Sequence, residues 1–223
     1  MIINPCLEST PRLEIPATLK TLNQLGCDFI HISVMDGHFT SKLGLDFGLL
    51  REIKKSYPFK IEVRLSTTNP ERFVKQALRS GADFVSFHPE TTHSPLSLLQ
   101  DIRRNGVRAG LVLNHNQPPY SIMSMLDELD YVTLMSSEPD IKSPVFIKST
   151  YEKLGNLTWI RDEGNHNFWI QIEGAVDVLN AVECQKLGAD MLVVGTQALN
   201  VPKMTLYEAY QSVQHSLENE MSS

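Results

Sequence analysis

The chain has 223 residues, of which 42% are hydrophobic and 21% charged. That suits one domain of the size of a single α/β barrel, roughly 200–250 residues, and excludes a disordered chain or a coiled coil. The net charge of −6 comes without a Lys/Arg cluster, which argues against nucleic acid or an anionic membrane as a partner. No apolar run reaches the roughly 18 residues of a bilayer span.

In chain order, Ile2–Leu7 is the first short apolar run. Met1-Ile2-Ile3-Asn4-Pro5 lacks the basic and long apolar regions of a signal peptide, so the run reads as a strand. Ile15, Leu19, Leu22 and Leu25 then recur three and four apart, the spacing of a helical stripe. Phe29–Val34 and Lys60–Leu65 are the next strand candidates, and Phe73, Ala77 and Leu78 mark a helix after them. Phe84–Phe87, Ala109–Leu113, Tyr131–Met135, Phe168–Ile172 and Met191–Val194 complete a set of eight runs. Each is too short for a buried helix and rich in β-branched or aromatic residues. Strands alternating with helices predict a parallel sheet with βαβ crossovers. Arg161–Asn167 reads as a polar connection into the seventh strand, and 219–223 as a polar tail, leaving 1–218 as one domain. Cys6, Cys27 and Cys184 are too far apart for a zinc or disulfide pattern and point to a reducing, cytoplasmic setting. Cys27 and Cys184 are expected to be packed in the interior.

An internal repeat narrows the architecture. Gly26-Cys27-Asp28-Phe29 resembles Gly81-Ala82-Asp83-Phe84 and Gly188-Ala189-Asp190-Met191, with Leu129-Asp130-Tyr131 as a weaker copy. The glycine suits a left-handed helix C-cap and the aspartate a turn into the next strand. The interval from Gly81 to Gly188 is close to twice that from Gly26 to Gly81. A repeat of two βα units fits a closed (β/α)8 TIM barrel better than an open sheet.

In such a barrel chemistry sits at the C-terminal ends of the strands. Those ends carry Cys6, Glu8, His31, Ser33, Met35, Asp36, Arg64, Ser66, His88, Glu90, Asn114, Met135, Ser136, Ser137, Glu173, Gly174, Gly195 and Thr196. A purely structural barrel does not need polar and titratable groups concentrated there. Glu173 is the hardest to read as structural, because an inward carboxylate is costly unless paired. Asp36-Gly37 suits a loop turn, and His88 a structural place. Asn114 either contacts a ligand or braces a loop. His38, His93, His115, His166 and His215 form no constellation and read as surface residues.

These same residues carry a family resemblance. His31-Ile-Ser-Val-Met-Asp-Gly-His-Phe39 resembles the strand-two signature of the ribulose-phosphate 3-epimerase family, which includes the allulose-6-phosphate epimerases. Ala82-Asp-Phe-Val-Ser-Phe-His-Pro-Glu-Thr91 resembles its strand four, Gly110-Leu-Val-Leu-Asn114 its strand five and Val193-Val-Gly-Thr196 its strand eight. The resemblance implies a (β/α)8 barrel that inverts the carbon beside the ketone of a phosphorylated sugar. In that chemistry one Asp removes a proton, a second Asp returns one on the other face, and a divalent metal (Zn, Fe or Mn) held by two His and both Asp steadies the enediolate.

Several of those positions are changed here. His31 matches the first metal His, but Ser33 stands for the first Asp, Arg64 for the second His and Glu173 for the second Asp. Cys6 replaces a substrate-contacting Ser, and Ser66 a pocket-lining Met. A guanidinium cannot ligate a metal and repels one. The expectation is therefore a site without a metal, in which Arg64 fills the metal's space and pairs with Glu173. Glu173, Arg64 and Ser33 are the expected catalytic set. Cys6, His31, Asn114, Met135, Gly174, Gly195 and Thr196 are expected to contact substrate. If the family mechanism survives, His31 and Glu173 are the residual ligand positions. Phosphate is expected at Gly174, Gly195 and Thr196. The loop Ser136–Ser143 contributes less, having none of the glycines that the family uses there, though Lys142 could add charge. The implied partner is a phosphorylated sugar, and a homodimer or larger homo-oligomer is expected. A homologue that only binds a phosphorylated ligand, and an enediolate-forming lyase, are the alternatives.

Overall fold

The computed structural model describes residues 1–138, 140, 141 and 143–220. Lys142 therefore lies outside the described residues, as do Pro139 and 221–223. Eight parallel strands form one sheet: β1 (Ile2–Pro5), β2 (Phe29–Met35), β3 (Lys60–Ser66), β4 (Phe84–Phe87), β5 (Arg108–Leu113), β6 (Tyr131–Met135), β7 (Trp169–Glu173) and β8 (Met191–Val194). Around them run α1 (Ile15–Gln24), α2 (Phe47–Ser56), α3 (Pro70–Ser80), α4 (Pro95–Arg104), α5 (Ser149–Glu163), α6 (Val178–Lys186), the short α7 (Thr196–Leu199) and α8 (Leu206–Glu220). Sheet order runs β1-β8-β7-β6-β5-β4-β3-β2, and a parallel bridge between Cys6 and His31 joins the two ends. The result is a nearly closed (β/α)8 TIM barrel. No described helix is long and apolar enough to cross a membrane.

Most strand boundaries agree with the sequence reading to within one residue, and two segments differ by more. β1 stops at Pro5, and Leu7–Ser9 turns as a 3-10 helix. The polar segment assigned to a connection begins inside α5, which runs on to Glu163. Helix starts follow local chemistry. Asp46 accepts from the backbone N–H groups of Gly48 and Leu49, and Asp177 from that of Asn180, capping α2 and α6. Prolines occupy the first turns of α1, α3 and α4, where a missing N–H costs nothing.

Side chains alternate along every strand. One set, including Ile30, Ile32, Ile61, Val63, Val85, Leu111, Val132, Ile172 and Leu192, faces the helices and forms the main apolar core. The other set fills the barrel in layers. At the N-terminal end Phe29, Phe84, Tyr131 and Met191 make an apolar plug, with Phe84 stacked on Trp169. Above it lies a polar layer in which Asn4 donates to Gln171 and Gln171 to Thr133. Still higher, the same alternation on β2, β3, β6 and β7 delivers Ser33, Arg64, Met135 and Glu173 to the mouth.

Candidate active site

A cavity of about 530 Å³ opens at the C-terminal mouth. Cys6, Ser33, Arg64, Met135, Glu173, Gly174, Gly195 and Thr196 all line it, together with Glu8, Arg12 and Lys42. Asn114 is not part of this wall. Its amide donates to Glu90 at 2.7 Å and its backbone N–H to Gln117, so it braces the loop after β4. His31 is fully buried and sits behind the wall.

At the centre Arg64 and Glu173 pair at 3.0 Å. The guanidinium also donates to Ser33 Oγ at 3.0 Å and lies 3.1 Å from Met135 Sδ. His31 Nε2 is 2.8 Å from Ser33 Oγ and 3.3 Å from Glu173, while Nδ1 meets the Glu62 carboxylate. Burial alone would lower the His31 pKa, but Glu173 and Glu62 outweigh it and lift it to about 10, so the ring is an imidazolium. For Glu173 burial acts upward, and the positive charges of Arg64 and His31 overcome it, holding the carboxyl at about 2. One of its oxygens, Oε2, is buried without a hydrogen-bond partner. Burial, with Glu8 and Glu173 nearby, keeps the Cys6 thiol protonated, and it donates to Glu8 at 3.3 Å. Gly174 adopts φ +133°, and a Cβ there would meet Ser136 Oγ at 2.6 Å and Ser137 N at 2.7 Å. Only glycine fits where β7 leaves the barrel.

Two groups went without a role in the sequence reading. Glu62 is fully buried and accepts from Asn4, Ser86 and Tyr131 besides His31. The alternation that places Arg64 inward places Glu62, two residues earlier, inward as well, and that was the available signal. Glu8 was noted at a strand end and nothing more. It accepts the Ser33 backbone N–H at 2.6 Å. His88 is buried, its ring tilted against Phe39 and its Nδ1 3.6 Å from the Glu90 carboxylate, and burial lowers its pKa. Asp36 ties up the backbone N–H groups of His38, Phe39 and Thr68, in keeping with a loop role.

A divalent metal does not fit the four positions that the resemblance implies. Arg64 brings a fixed positive charge into the centre, Ser33 has no anionic donor, and the lone pairs of His31 are taken by protons shared with Glu62, Ser33 and Glu173. A different trio does bring donor atoms together. Those of Cys6, Glu8 and His31 lie within 4.8 Å of one another, a spacing that suits a metal ion, but an ion there would have to displace the protons on His31 and on the Cys6 thiol.

Comparisons with known proteins bear on the family and on the fold. The profile of the Ribulose-phosphate 3 epimerase family matches residues 2–199. The ribulose-phosphate 3-epimerase of Aquifex aeolicus is 33% identical over 82% of this chain and 81% of its own length. The chloroplastic ribulose-5-phosphate-3-epimerase of Arabidopsis thaliana is 32% identical over 88% of this chain and 70% of its own. Among solved structures, orotidine 5'-phosphate decarboxylase from Pyrococcus horikoshii OT3 aligns with a TM-score of 0.70 at 15% identity, over 97% of this chain and 99% of that one, a likeness of fold alone. With the strand-end positions in family order and the profile spanning nearly all of the barrel, the chain belongs to the ribulose-phosphate 3-epimerase family.

Proposed function

We propose that this protein epimerises a ketose phosphate of the ribulose 5-phosphate or allulose 6-phosphate class, with Arg64 and His31 doing electrostatically what a divalent ion does in the family mechanism. The observation that carries the reading is the Arg64–Glu173 pair, set in the cavity with a second positive group behind it. A carbon acid beside a ketone is too weak for a carboxylate base unless the growing oxyanion is stabilised. Arg64 can donate to that oxyanion, and the buried His31 charge behind it adds to the positive field, without a metal. Glu173 takes the proton, the C–H electron pair becomes the enediolate, and the ketone oxygen accepts from Arg64. At rest Glu173 is a weak base, since its neighbours hold it near 2. When the substrate oxygen draws the guanidinium toward itself, the carboxylate loses part of that stabilisation and its basicity rises. Gly174, Gly195 and Thr196 leave room for the phosphate, and Arg12 and Lys42 line the same cavity.

The test is solvent-deuterium exchange at the carbon beside the ketone, on both ketose phosphates, with chelated and with metal-supplemented protein. Exchange that persists after chelation and drops in Arg64→Ala supports the reading. Exchange that needs added metal, or none with either sugar, rejects it. The low resting basicity of Glu173 favours one rival, a homologue that binds phosphorylated sugar without turning it over. Saturable binding with no exchange would identify that rival.

A further inference from the structure

Inversion needs a proton carrier on each face of the enediolate, and Glu173 can serve only one of them. Ser33 stands where the other carboxylate is missing, but its hydroxyl is taken up by His31 at 2.8 Å and Arg64 at 3.0 Å. A second carboxylate nevertheless reaches this spot from another strand. Pro5 ends β1, the Cys6–His31 bridge lays the chain against β2, and the 3-10 turn Leu7–Ser9 swings Glu8 over it. Glu8 Oε1 then accepts the backbone N–H of Ser33 itself at 2.6 Å. Its other oxygen accepts from the Cys6 thiol at 3.3 Å. Glu8 and Glu173 line the same cavity, with the Arg64 guanidinium bonded to both Glu173 and the Ser33 side chain.

We infer that Glu8 is the second catalytic acid/base, supplying from the end of β1 the carboxylate that Ser33 does not provide on β2. The inference rests on the epimerase reading. In one direction Glu173 accepts the proton from carbon and the pair of electrons forms the enediolate. Protonated Glu8 then delivers its proton to the opposite face, the carbonyl re-forms, and the epimer leaves with Glu173 protonated and Glu8 ionised. That state is the starting state for the reverse direction, and exchange with water resets it for another forward turnover. The environments of the two carboxyls suit this division of labour. Burial raises the Glu8 pKa, whereas Arg64 and His31, against the upward effect of burial, keep Glu173 ionised. The Cys6 thiol donates to Glu8 and steadies its ionised form.

Glu8→Gln in the full-length protein tests this, because the amide keeps an oxygen for the Ser33 N–H and cannot carry the proton. Each C3 epimer of the ketose phosphate is incubated separately in D2O, and both deuterium incorporation and inversion are followed. The variant should interconvert the epimers at least ~10²-fold more slowly, in the range that a general acid or base contributes. Exchange should continue from the epimer that Glu173 deprotonates and vanish from the other. A role in bracing β2 alone would depress both epimers alike. Glu8→Asp, which keeps a shorter carboxylate, should recover part of the inversion; if the Gln variant does not fold, Glu8→Ala, which also removes the proton carrier, gives the same readout. Inversion at the wild-type rate in Glu8→Gln, or equal loss of exchange from both epimers in a folded variant, overturns the inference. So does stoichiometric zinc that is held by the wild type and released by both Glu8→Gln and Cys6→Ser, because the carboxylate is then a ligand. Absence of exchange from either epimer in the wild type refutes the epimerase reading itself and this inference with it.

Discussion

Arg64 is held by three different chemistries at once: a carboxylate, a hydroxyl and a thioether. Removing it leaves Glu173 with His31 as its nearest cation and a gap where the guanidinium lay. Loss of one partner of a buried pair costs about 3–5 kcal/mol, and Arg64→Ala is expected to fall near the lower end because His31 remains. Urea unfolding measures the loss. The Glu173 carboxyl should also titrate upward from about 2, read from its carboxyl carbon by NMR. A drop no larger than that of an exposed Arg→Ala change contradicts the pairing. The positions of Arg64, Ser33 and Glu173 were legible because alternation along a strand fixes which residues face inward. Glu8 was read as a strand-end residue, but its reach to Ser33 was not legible, because it lies beyond the end of β1, in a turn whose direction alternation does not govern. Asn114 shows the limit of the strand-end rule from the other side. It ends a strand at the mouth, yet Glu90 and Gln117 hold it away from the cavity.

At the scale of elements, the repeated aspartate has a specific task. Asp83 accepts the backbone N–H of Ile61, Asp130 that of Ala109 and Asp190 that of Ile170, at 2.7–2.8 Å. Each aspartate leads into one strand and clamps the start of the preceding one, so β3 is fastened by β4, β5 by β6 and β7 by β8. Asp28 leads into β2, whose preceding neighbour is β1, and the described backbone pairing between these two is the single bridge from Cys6, just past β1, to His31. Asp130→Ala strips a charged acceptor from a strand N–H and from Arg108, and should cost about 1.5–3 kcal/mol in urea unfolding. An unchanged midpoint would refute the clamp. The sequence pattern revealed the repeat and its βα spacing, but not this bond, which depends on the stagger between neighbouring strands. Pro119–Glu128 was hidden for a different reason. Pro119, Ile122 and Met125 are buried three apart, the period of a 3-10 helix, and so short a stripe also fits an α-helical reading.

For the whole molecule the buried charges set a pH window. Glu173 has a folded pKa of about 2 against an ordinary 4.5, so its contribution to stability is complete above 4.5 and lost as pH falls toward 2. His31 runs the other way. Its folded pKa of about 10 exceeds the ordinary 6.5, so its contribution is complete below 6.5 and lost as pH rises toward 10. The two together predict a urea midpoint that is highest between about 4.5 and 6.5 and falls on both sides. His31→Gln should flatten much of the alkaline limb and shorten the acid one without abolishing it, because Arg64 still holds Glu173 ionised; an alkaline limb of full wild-type slope in that variant would refute this assignment.

The Cys6–His31 bridge gives the barrel a clasp. Seven junctions between neighbouring strands are continuous ladders, whereas the eighth, from β1 to β2, has among the described residues a single backbone bridge, beside which Glu8 accepts the Ser33 N–H. Glu8 and Cys6 lie on one lip of this seam, with His31 and Ser33 on the other. On the epimerase reading, a sugar phosphate touching both lips would add ties across the one junction that lacks a ladder.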